Sequence, residues 1–409
     1  MNQKGFSQLI LIVIVGAIVI VAGGGFWYYQ QSAEPNNESA PGTQAVPESS
    51  SNGTLSAPAE QTNQKAAPKT QAGTSAPAKQ TTAAPTTPTV PTTPNPPTQG
   101  IPDLGINASL HGKRIFASTN YWNQDISSAP LDPNSSALIA KISLTDRLYM
   151  NGIQLNKYGK RSGIPYIVVN DSQPLVAVVN NYYKSLTDFT QARIPSNAPI
   201  QANTDQHVLV VNRDNWNVYE MWKSASVNNG QSWTCGSNAQ WDLTNYVVRQ
   251  DGKGSADVAG LPILPGLIRY DEVFEQKVIN HALRFEITHT STYYIDPAVS
   301  APLMVTKSAI ANGQTNTADP SLPPFGMRVR LKASVNISAY PAEVQVVLTA
   351  LKKYGMILAD GGGSNWVVGG VMDDRWLTTQ MNKINDGGIT GKDFEVIQMG
   401  PLKTHYSGG

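Results

Sequence analysis

Short apolar runs separated by Gly, Pro, Asn and Asp dominate the chain beyond residue 101. Runs of β-branched and aromatic residues bounded by turn-forming residues are typical of strands in β-sandwiches and barrels. The clearest pair lies at residues 207–211 and 216–222, on either side of the polar turn NRDN, and predicts a hairpin. We predict further strands at residues 163–170, 241–248, 279–289, 327–333 and 366–370.

A helical pattern interrupts the strands near the C-terminus. Val344 is followed by apolar residues at i+3, i+4 and i+7, with Ser338 as a candidate N-cap and Gly355 as the terminator. A strand at residues 356–360 follows, and a shorter helix is predicted after Asp132. The sequence therefore predicts a mainly β fold, a β-sandwich or a jelly-roll-like arrangement, with one amphipathic helix near the C-terminus.

Residues 9–29 carry no charged side chain. At about 1.5 Å per residue, a helix of this length crosses a bilayer core of about 30 Å. Lys4 precedes the segment and the next basic residue is Lys65, so the positive-inside rule places residues 1–8 in the cytoplasm. A cleaved signal peptide would end in small residues, whereas this segment ends in aromatic ones. We therefore predict a transmembrane helix of a single-pass cell-membrane protein, with its C-terminal domain extracellular.

The first residues add a second possibility. The motif KGFS at residues 4–7 resembles the leader of type IV prepilins, in which a peptidase cuts after the glycine. The resemblance implies processing after Gly5 and pilus-like assembly. Ile10 stands where that family has glutamate.

Residues 30–100 consist largely of Ala, Pro, Thr, Ser, Gln and Asn and contain little that could form a core. This composition predicts a disordered linker, with a flexible-chain reach of roughly 45 Å. No second low-complexity stretch follows, so residues 101–409 are predicted to form one extracytoplasmic β-rich domain.

Composition and missing motifs exclude several classes of function. The formal net charge is +1, which argues against a nucleic-acid partner because phosphate binding needs a basic excess. Cys235 is the only cysteine, so an intramolecular disulfide is impossible. The sequence contains no P-loop, dinucleotide glycine fingerprint, HExxH, GxSxG or paired-cysteine motif. We therefore predict neither a cofactor nor a metal site.

One predicted strand combines a carboxylate with indoles. Strand alternation places Trp216, Glu220 and Trp222 on one face. Aromatic rings stack on sugars, and an apolar wall raises a carboxyl pKa toward general-acid chemistry, so this pattern favours a carbohydrate cleft. The alternative is that Glu220 lies on an exposed face and pairs with a cation.

Ionisable residues also recur in and before the predicted strand at 279–289. Asp271 and Glu272, with Arg269 nearby, are adjacent and would point to opposite faces of a strand. His281 and Arg284 lie on opposite faces of the next strand. His281, like His207, is either a structural residue or a substrate contact.

A row of cations marks the strand at 327–333. Arg328, Arg330 and Lys332 face the same way by alternation. Such a row either recognises acidic groups on a polymer or forms a solvated edge that prevents aggregation.

Eight ordered motifs between residues 110 and 399 resemble a family of secreted bacterial β-rich proteins with no assigned activity. They include WNQDISSAPLDPNS, GLPILPGLIRYDEV, HALRFEI and LKKYGMILAD. The resemblance implies a shared fold. The ionisable positions in the matching motifs are His207, Asp257, Arg269, Asp271, Glu272, His281, Arg284, Arg328, Arg330 and Lys332.

The leading hypothesis is a surface-tethered, carbohydrate-active domain that hydrolyses a cell-wall or environmental polysaccharide. The alternatives are a non-catalytic glycan-binding or adhesive domain on the same tether, and pilin-like assembly. The predicted catalytic residues are Glu220, Asp271, Glu272 and His281. The predicted substrate-binding residues are His207, Trp216, Trp222, Arg269, Arg284, Arg328, Arg330 and Lys332.

Overall fold

The computed structural model describes residues 100–154, 162–302 and 315–404. The predicted membrane segment at 9–29 and nearly all of the predicted linker lie outside these residues. Within the described ranges, no helix has both the length and the apolar character needed to span a bilayer.

The described chain is mainly β, as predicted. Its strands, in chain order, are β1 (Gly105–Ile106), β2 (Tyr149–Met150), β3 (Tyr166–Val169), β4 (Val176–Asn180), β5 (Gln191–Ala192), β6 (Val208–Asn212), β7 (Asn217–Trp222), β8 (Ala225–Val227), β9 (Ser232–Cys235), β10 (Ser237–Asp242), β11 (Leu283–Ile287), β12 (His289–Ser291), β13 (Thr315–Thr317), β14 (Arg328–Leu331), β15 (Met356–Gly361), β16 (Val367–Val368) and β17 (Phe394–Val396). The α-helices are α1 (Ser135–Ile142) and α2 (Ala342–Lys353). Short 3-10 turns lie at Leu264–Gly266, Asp374–Thr378, Met381–Asp386 and Gly391–Asp393, and a π-helical segment at Asp271–Gln276.

A five-stranded sheet lies at the centre, in the order β1-β3-β6-β7-β10. Strands β3 and β6 are parallel, and the other neighbours are antiparallel. Residues of β6 alternate between two separate cores: Leu209 and Val211 enter one, whereas Val208 and Val210 enter the other. Both faces of this sheet are therefore covered, which explains why its strands read as nearly continuous apolar runs.

A four-stranded sheet, β5-β4-β9-β8, contributes to the smaller of these cores. Trp233 and Cys235 of β9 are buried there. Burial raises the pKa of the Cys235 thiol. Cys235 is therefore a small core residue, and its thiol is a poor nucleophile.

The larger core contains a six-stranded sheet in the order β17-β14-β15-β11-β16-β2, together with α2. Helix α2 buries the predicted apolar stripe that begins at Val344. Gly355, at φ +66°, follows the C-cap residue Tyr354 and turns the chain into β15, as predicted. The N-cap prediction was wrong: the helix begins after Pro341, and Ser338 lies in the turn before it.

Two strand predictions also need correction. The strand predicted at 241–248 begins earlier and ends at Asp242, and the following Tyr246 stacks on Trp241 with ring centroids 5.9 Å apart. The strand predicted at 279–289 is divided into β11 and β12, and His281 precedes β11.

Candidate functional site

A buried arginine surrounded by carboxylates lies in β11. Arg284 is only 4% exposed, and its Nη2 donates to Oδ2 of Asp257 at 2.7 Å. The same nitrogen lies 3.4 Å from Oδ2 of Asp360 in β15. The Asp257 side chain is fully buried, whereas that of Asp360 is 33% exposed. Asp360 can therefore meet a solute, and Asp257 holds the arginine from behind.

A β-bulge decides which side chains meet at this point. Strands β11 and β15 are parallel, with Phe285 opposite Leu358 but Glu286 opposite Asp360, so Ala359 is the extra residue. Without the bulge, Asp360 would pair one position later and point to the other face. The bulge instead places Glu286 and Asp360 side by side, on the face that also carries Arg284.

Glycines make room for these side chains. A Cβ on Gly266 would lie 2.8 Å from Cβ of Arg284, and one on Gly369 would lie 2.7 Å from its Cγ. A Cβ on Gly362 would lie 2.5 Å from Oε2 of Glu286. The arginine stem therefore fits between two glycines, and the Glu286 carboxyl packs against a third.

The loop that carries Asp257 is fixed by its own polar groups. Oγ of Ser255 accepts from the Asp257 amide at 2.9 Å, and Oδ1 of Asp257 accepts from the Ala259 amide at 2.9 Å. The ring of His207 contacts the Ala256 carbonyl through Nε2 at 3.1 Å. Burial lowers the pKa of His207 to about 4, so this ring is neutral near pH 7. His207 therefore positions the loop and contributes no charge.

The two partly exposed carboxyls, Glu286 and Asp360, have raised pKa values. The pKa of Glu286 is raised to about 7, mainly by burial; the charges of Asp205 and Asp257 act in the same direction and Arg284 opposes them. The pKa of Asp360 is also raised, first by burial and then by Asp257. A carboxyl that can donate a proton near neutral pH, beside a second carboxyl, is suited to acid–base chemistry.

Three aromatic rings lie around Asp205, whose charge acts on Glu286 and Asp360. Nε1 of Trp222 donates to Oδ1 of Asp205 at 3.3 Å. The Trp222 ring lies against Gly236, where a Cβ would be only 2.5 Å from the indole. Tyr182 and Tyr183, with centroids 6.4 and 5.9 Å from that of Trp222, are 68% and 55% exposed. We call these three residues the aromatic platform; an indole fixed on a glycine backbone beside two exposed phenols resembles a sugar-stacking surface.

Glu220 does not join this site. It is fully buried, and its carboxylate accepts from Nε1 of Trp241 at 3.1 Å and from the amides of Ile263 and Leu264 at 3.0 and 2.9 Å. Burial raises its pKa to about 7. The alternative of an exposed glutamate paired with a cation was therefore wrong. Glu220 anchors the turn that brings Gly266 against the arginine.

Trp216 is also separate from the aromatic platform. It lies before β7 at φ +51°, and its Nε1 donates to the Arg114 carbonyl at 3.1 Å. Nζ of Lys113 lies 4.1 Å from the centre of its ring. Both tryptophans pack against the larger core, on the face of β7 that alternation predicted for them and for Glu220, but Trp216 is buried and offers no open ring to a sugar.

Four predicted site residues form a second buried cluster. Asp271 and Glu272 begin the π-helical segment, which corrects their predicted placement on a strand. Nη2 of Arg269 donates to Oε1 of Glu272, and Nε2 of His281 lies 2.9 Å from the same oxygen. Nδ1 of His281 faces the carbonyl of Ala282 at 2.8 Å. Both imidazole nitrogens are engaged, so this histidine has no nitrogen left for a substrate proton.

The predicted cation row consists of Arg328 and Arg330 on β14 and Lys332 directly after it, and it serves the fold. Arg328 is buried and donates to three backbone carbonyl oxygens. Arg330 donates to Oε1 of Glu395 at 2.7 Å and to two carbonyls. Lys332 donates to the Lys392 carbonyl at 2.7 Å. Because their own chain accepts these hydrogen bonds, we leave the three residues out of the proposed site.

Sequence reasoning included His207, Arg284 and Trp222 but missed the three accessible acids. Glu286 shares a strand face with Arg284, as alternation predicts, and Asp360 ends a strand just before three glycines. An acid at a strand end before a glycine run is a signal that could have been used. Asp205 lies in an irregular segment without such a signal.

No family model, curated protein or solved structure matches this chain. Within the residues that the structure describes, no group of three or more His, Cys, Asp or Glu side chains is placed to hold a metal ion. The functional inference therefore depends on the geometry of the carboxylate cluster.

Proposed function

We propose that this sandwich-like β-rich protein hydrolyses glycosidic bonds of a polysaccharide outside the cell, with Glu286 and Asp360 as its catalytic residues. The observation that carries the proposal is the cross-strand pair itself. Glu286 and Asp360 are Cα partners on adjacent strands, both reach solvent in part, and both have raised pKa values. Most glycosidases use two carboxyls on either side of the scissile bond, one protonated as the general acid and one ionised.

Glu286 is the general acid in this proposal. Its pKa of about 7 keeps a large fraction protonated at neutral pH, so it can deliver a proton to the leaving oxygen. Nδ2 of Asn151 donates to its Oε1 at 3.0 Å and fixes the carboxyl, while Gly362 leaves room for the other oxygen.

Asp360 is the charged member of the pair. Oδ1 accepts from the Gly361 amide at 2.8 Å, and Oδ2 lies near Arg284. Burial and Asp257 raise the pKa of Asp360, whereas Arg284 and the Gly361 amide favour its carboxylate, so we propose that the single proton of this carboxyl pair lies on Glu286. Cα partners on neighbouring strands lie about 5 Å apart, and both side chains share one face, so the two carboxyls can approach to the separation of about 5–5.5 Å found in retaining glycosidases. Asp360 would then bond to the anomeric carbon as the leaving oxygen takes the Glu286 proton. Water would later release the sugar, giving its proton back to Glu286.

The surroundings support a polymeric substrate. The aromatic platform lies beside Asp205, whose charge raises the pKa values of both catalytic carboxyls. Stacking on tryptophan and tyrosine binds successive sugar rings away from the scissile bond. The predicted membrane helix and linker at 9–100 would hold this domain near cell-wall or environmental polysaccharide.

Two conservative variants test the proposal. Glu286→Gln and Asp360→Asn should lower the rate of new reducing-end formation by at least about a thousandfold while the protein stays folded. Glu343→Gln in α2 and Asp103→Asn are matched changes outside the cluster and should retain activity. The first product should keep the anomeric configuration of the substrate, as read by NMR. Unchanged activity in Glu286→Gln would contradict the assignment.

The aromatic platform also favours a second candidate, a non-catalytic glycan-binding domain. In that case the wild-type protein would be retained on a polysaccharide without forming new chain ends. Trp222→Ala would then abolish retention, whereas Glu286→Gln would leave it unchanged. Turnover by the wild-type protein would exclude this candidate.

A further inference from the structure

We infer that a second pocket, beside the π-helical segment and separate from the proposed active site, binds a small oxyanion such as a carboxylate, sulfate or phosphate group. The pocket has a volume of about 70 Å³, several times the roughly 10–15 Å³ that one water needs. Its charged lining residues are Lys113, Arg114, Arg269, Glu272 and His281.

The pocket wall holds a buried guanidinium against one carboxylate. Nη2 of Arg269 donates to Oε1 of Glu272, and Nε2 of His281 lies 2.9 Å from the same oxygen. Nδ1 of His281 faces the Ala282 carbonyl at 2.8 Å. These contacts engage both nitrogens of the histidine but only one side-chain nitrogen of the arginine.

The lining carries more positive than negative charge. Lys113, Arg114 and Arg269 line the pocket, with Glu272 as the single lining carboxylate. Asp271, with Oδ1 3.7 Å from Nε of Arg269, and Asp214, whose charge acts on Lys113, do not line it.

Arg269 also has donors to spare. It is 4% exposed, yet its Nη1 and Nε have no hydrogen-bond partner among the described residues. A buried donor left unpaired costs free energy, so such a group beside a cavity is poised for an acceptor. Guanidinium groups favour oxyanions because their planar donors match carboxylate and phosphate oxygens. An oxyanion in the pocket would lie against the Arg269 side chain, and a small shift of the buried guanidinium would let Nη1 donate to it.

Catalysis is a poorer explanation of the same pocket. Oε1 of Glu272 is shared by Arg269 and His281, and Oε2 accepts from the Arg269 amide at 3.3 Å. Burial alone would raise the pKa of Glu272, but the charge of Arg269 outweighs it together with the other contacts, so this pKa is lowered. A permanently ionised carboxylate with both oxygens engaged is suited to fixing a binding site rather than to moving protons.

The test is a titration of the full-length protein with sodium phosphate, sulfate, acetate and glucuronate at constant ionic strength, followed by calorimetry and by thermal unfolding. At least one oxyanion should bind saturably, whereas chloride should not. Comparable affinity for inorganic ions and glucuronate would indicate a free ion as ligand, and tighter glucuronate binding would indicate a sugar-borne acid. Water alone in the pocket predicts no saturable signal with any of them, which would overturn the inference.

Variants identify the pocket as the source of binding. The Lys113→Gln and Arg114→Gln double variant should weaken binding by roughly tenfold, because two charges near the ligand are lost. Lys332→Gln, at the residue directly after β14, is the matched control and should bind normally. Arg269→Lys keeps a charge beside Glu272 but removes the guanidinium fork, and should abolish binding. If Arg269→Lys does not fold, the double variant at Lys113 and Arg114 provides the test. Equal oxyanion affinity in this double variant and in the Lys332→Gln control would overturn the inference. None of these outcomes depends on Glu286, so they are independent of the proposed hydrolysis.

Discussion

Removing Arg284 from the carboxylate cluster should destabilise the protein strongly, because the buried Asp257 carboxylate would remain without a cation. Arg284→Met deletes the only cation within hydrogen-bond distance of Asp257 among the described residues, and the Asp257 side chain has no exposed surface. Breaking a buried pair in this way costs about 3–5 kcal/mol. The free energy of unfolding of a typical protein is about 5–15 kcal/mol in total, so this loss would be a large share of it.

The double variant Arg284→Met with Asp257→Asn separates the two contributions. The side-chain amide introduced by Asp257→Asn is neutral and leaves no unpaired charge at this position. We therefore expect the free energy of unfolding of the double variant to exceed that of Arg284→Met by about 2 kcal/mol or more. Activity should not return, since Asp360 still lacks its cation. Denaturant unfolding followed by tryptophan fluorescence measures the free energies, and reducing-end assays measure the activity.

The pH dependence gives this prediction a definite sign. Without Arg284, the pKa of Asp257 rises further above its value in the unfolded chain. The folded protein then binds more protons than the unfolded one, so its stability falls as pH rises. The free energy of unfolding of Arg284→Met should therefore be only slightly below that of the wild type at pH 5, and the difference should be largest at pH 8. A loss below about 1 kcal/mol at pH 8, or no recovery in the double variant, would refute the buried ion pair.

Three further predictions follow from the same geometry. The hydrolysis rate should fall as pH rises through about 7, because Glu286 loses the proton it donates; a pH–rate profile unchanged in this range would contradict its role. Gly362→Ala should lower kcat by roughly a hundredfold, because the new Cβ displaces the Glu286 carboxyl. Gly363→Ala meets nothing within 4 Å among the described residues and should be nearly neutral in the same assay. Glu220→Gln should lower the free energy of unfolding by about 1–3 kcal/mol, because its amide group cannot accept from all the donors around it; if catalysis were lost in folded protein, Glu220 would belong to the chemistry after all.

Local sequence patterns predicted the parts of the fold that local forces determine. The periodicity from Val344 and the glycine at 355 predicted α2 and the start of β15, and the polar turn at 212–215 predicted the hairpin. Alternation also placed Arg284 and Glu286 on one face. In each case the signal lies within a few neighbouring residues.

The proposed catalytic pair could not be predicted in the same way. Glu286 and Asp360 meet because β11 pairs in parallel with a distant strand and because Ala359 is bulged, and neither feature has a signature in one sequence. Strand alternation likewise failed for Asp271 and Glu272, since the chain there is helical. Strand alternation also gives no information about the partners of Glu220, which are backbone amides rather than solvent or a cation.

The most direct test of the proposed function is to incubate the full-length protein, and its Glu286→Gln variant, with a panel of polysaccharides and purified cell wall. New reducing ends and retained protein are measured together. Our account predicts new ends from at least one polymer with the wild-type protein and nearly none with the variant, while both proteins are retained. Retention without new ends, or equal turnover by the two proteins, would contradict it.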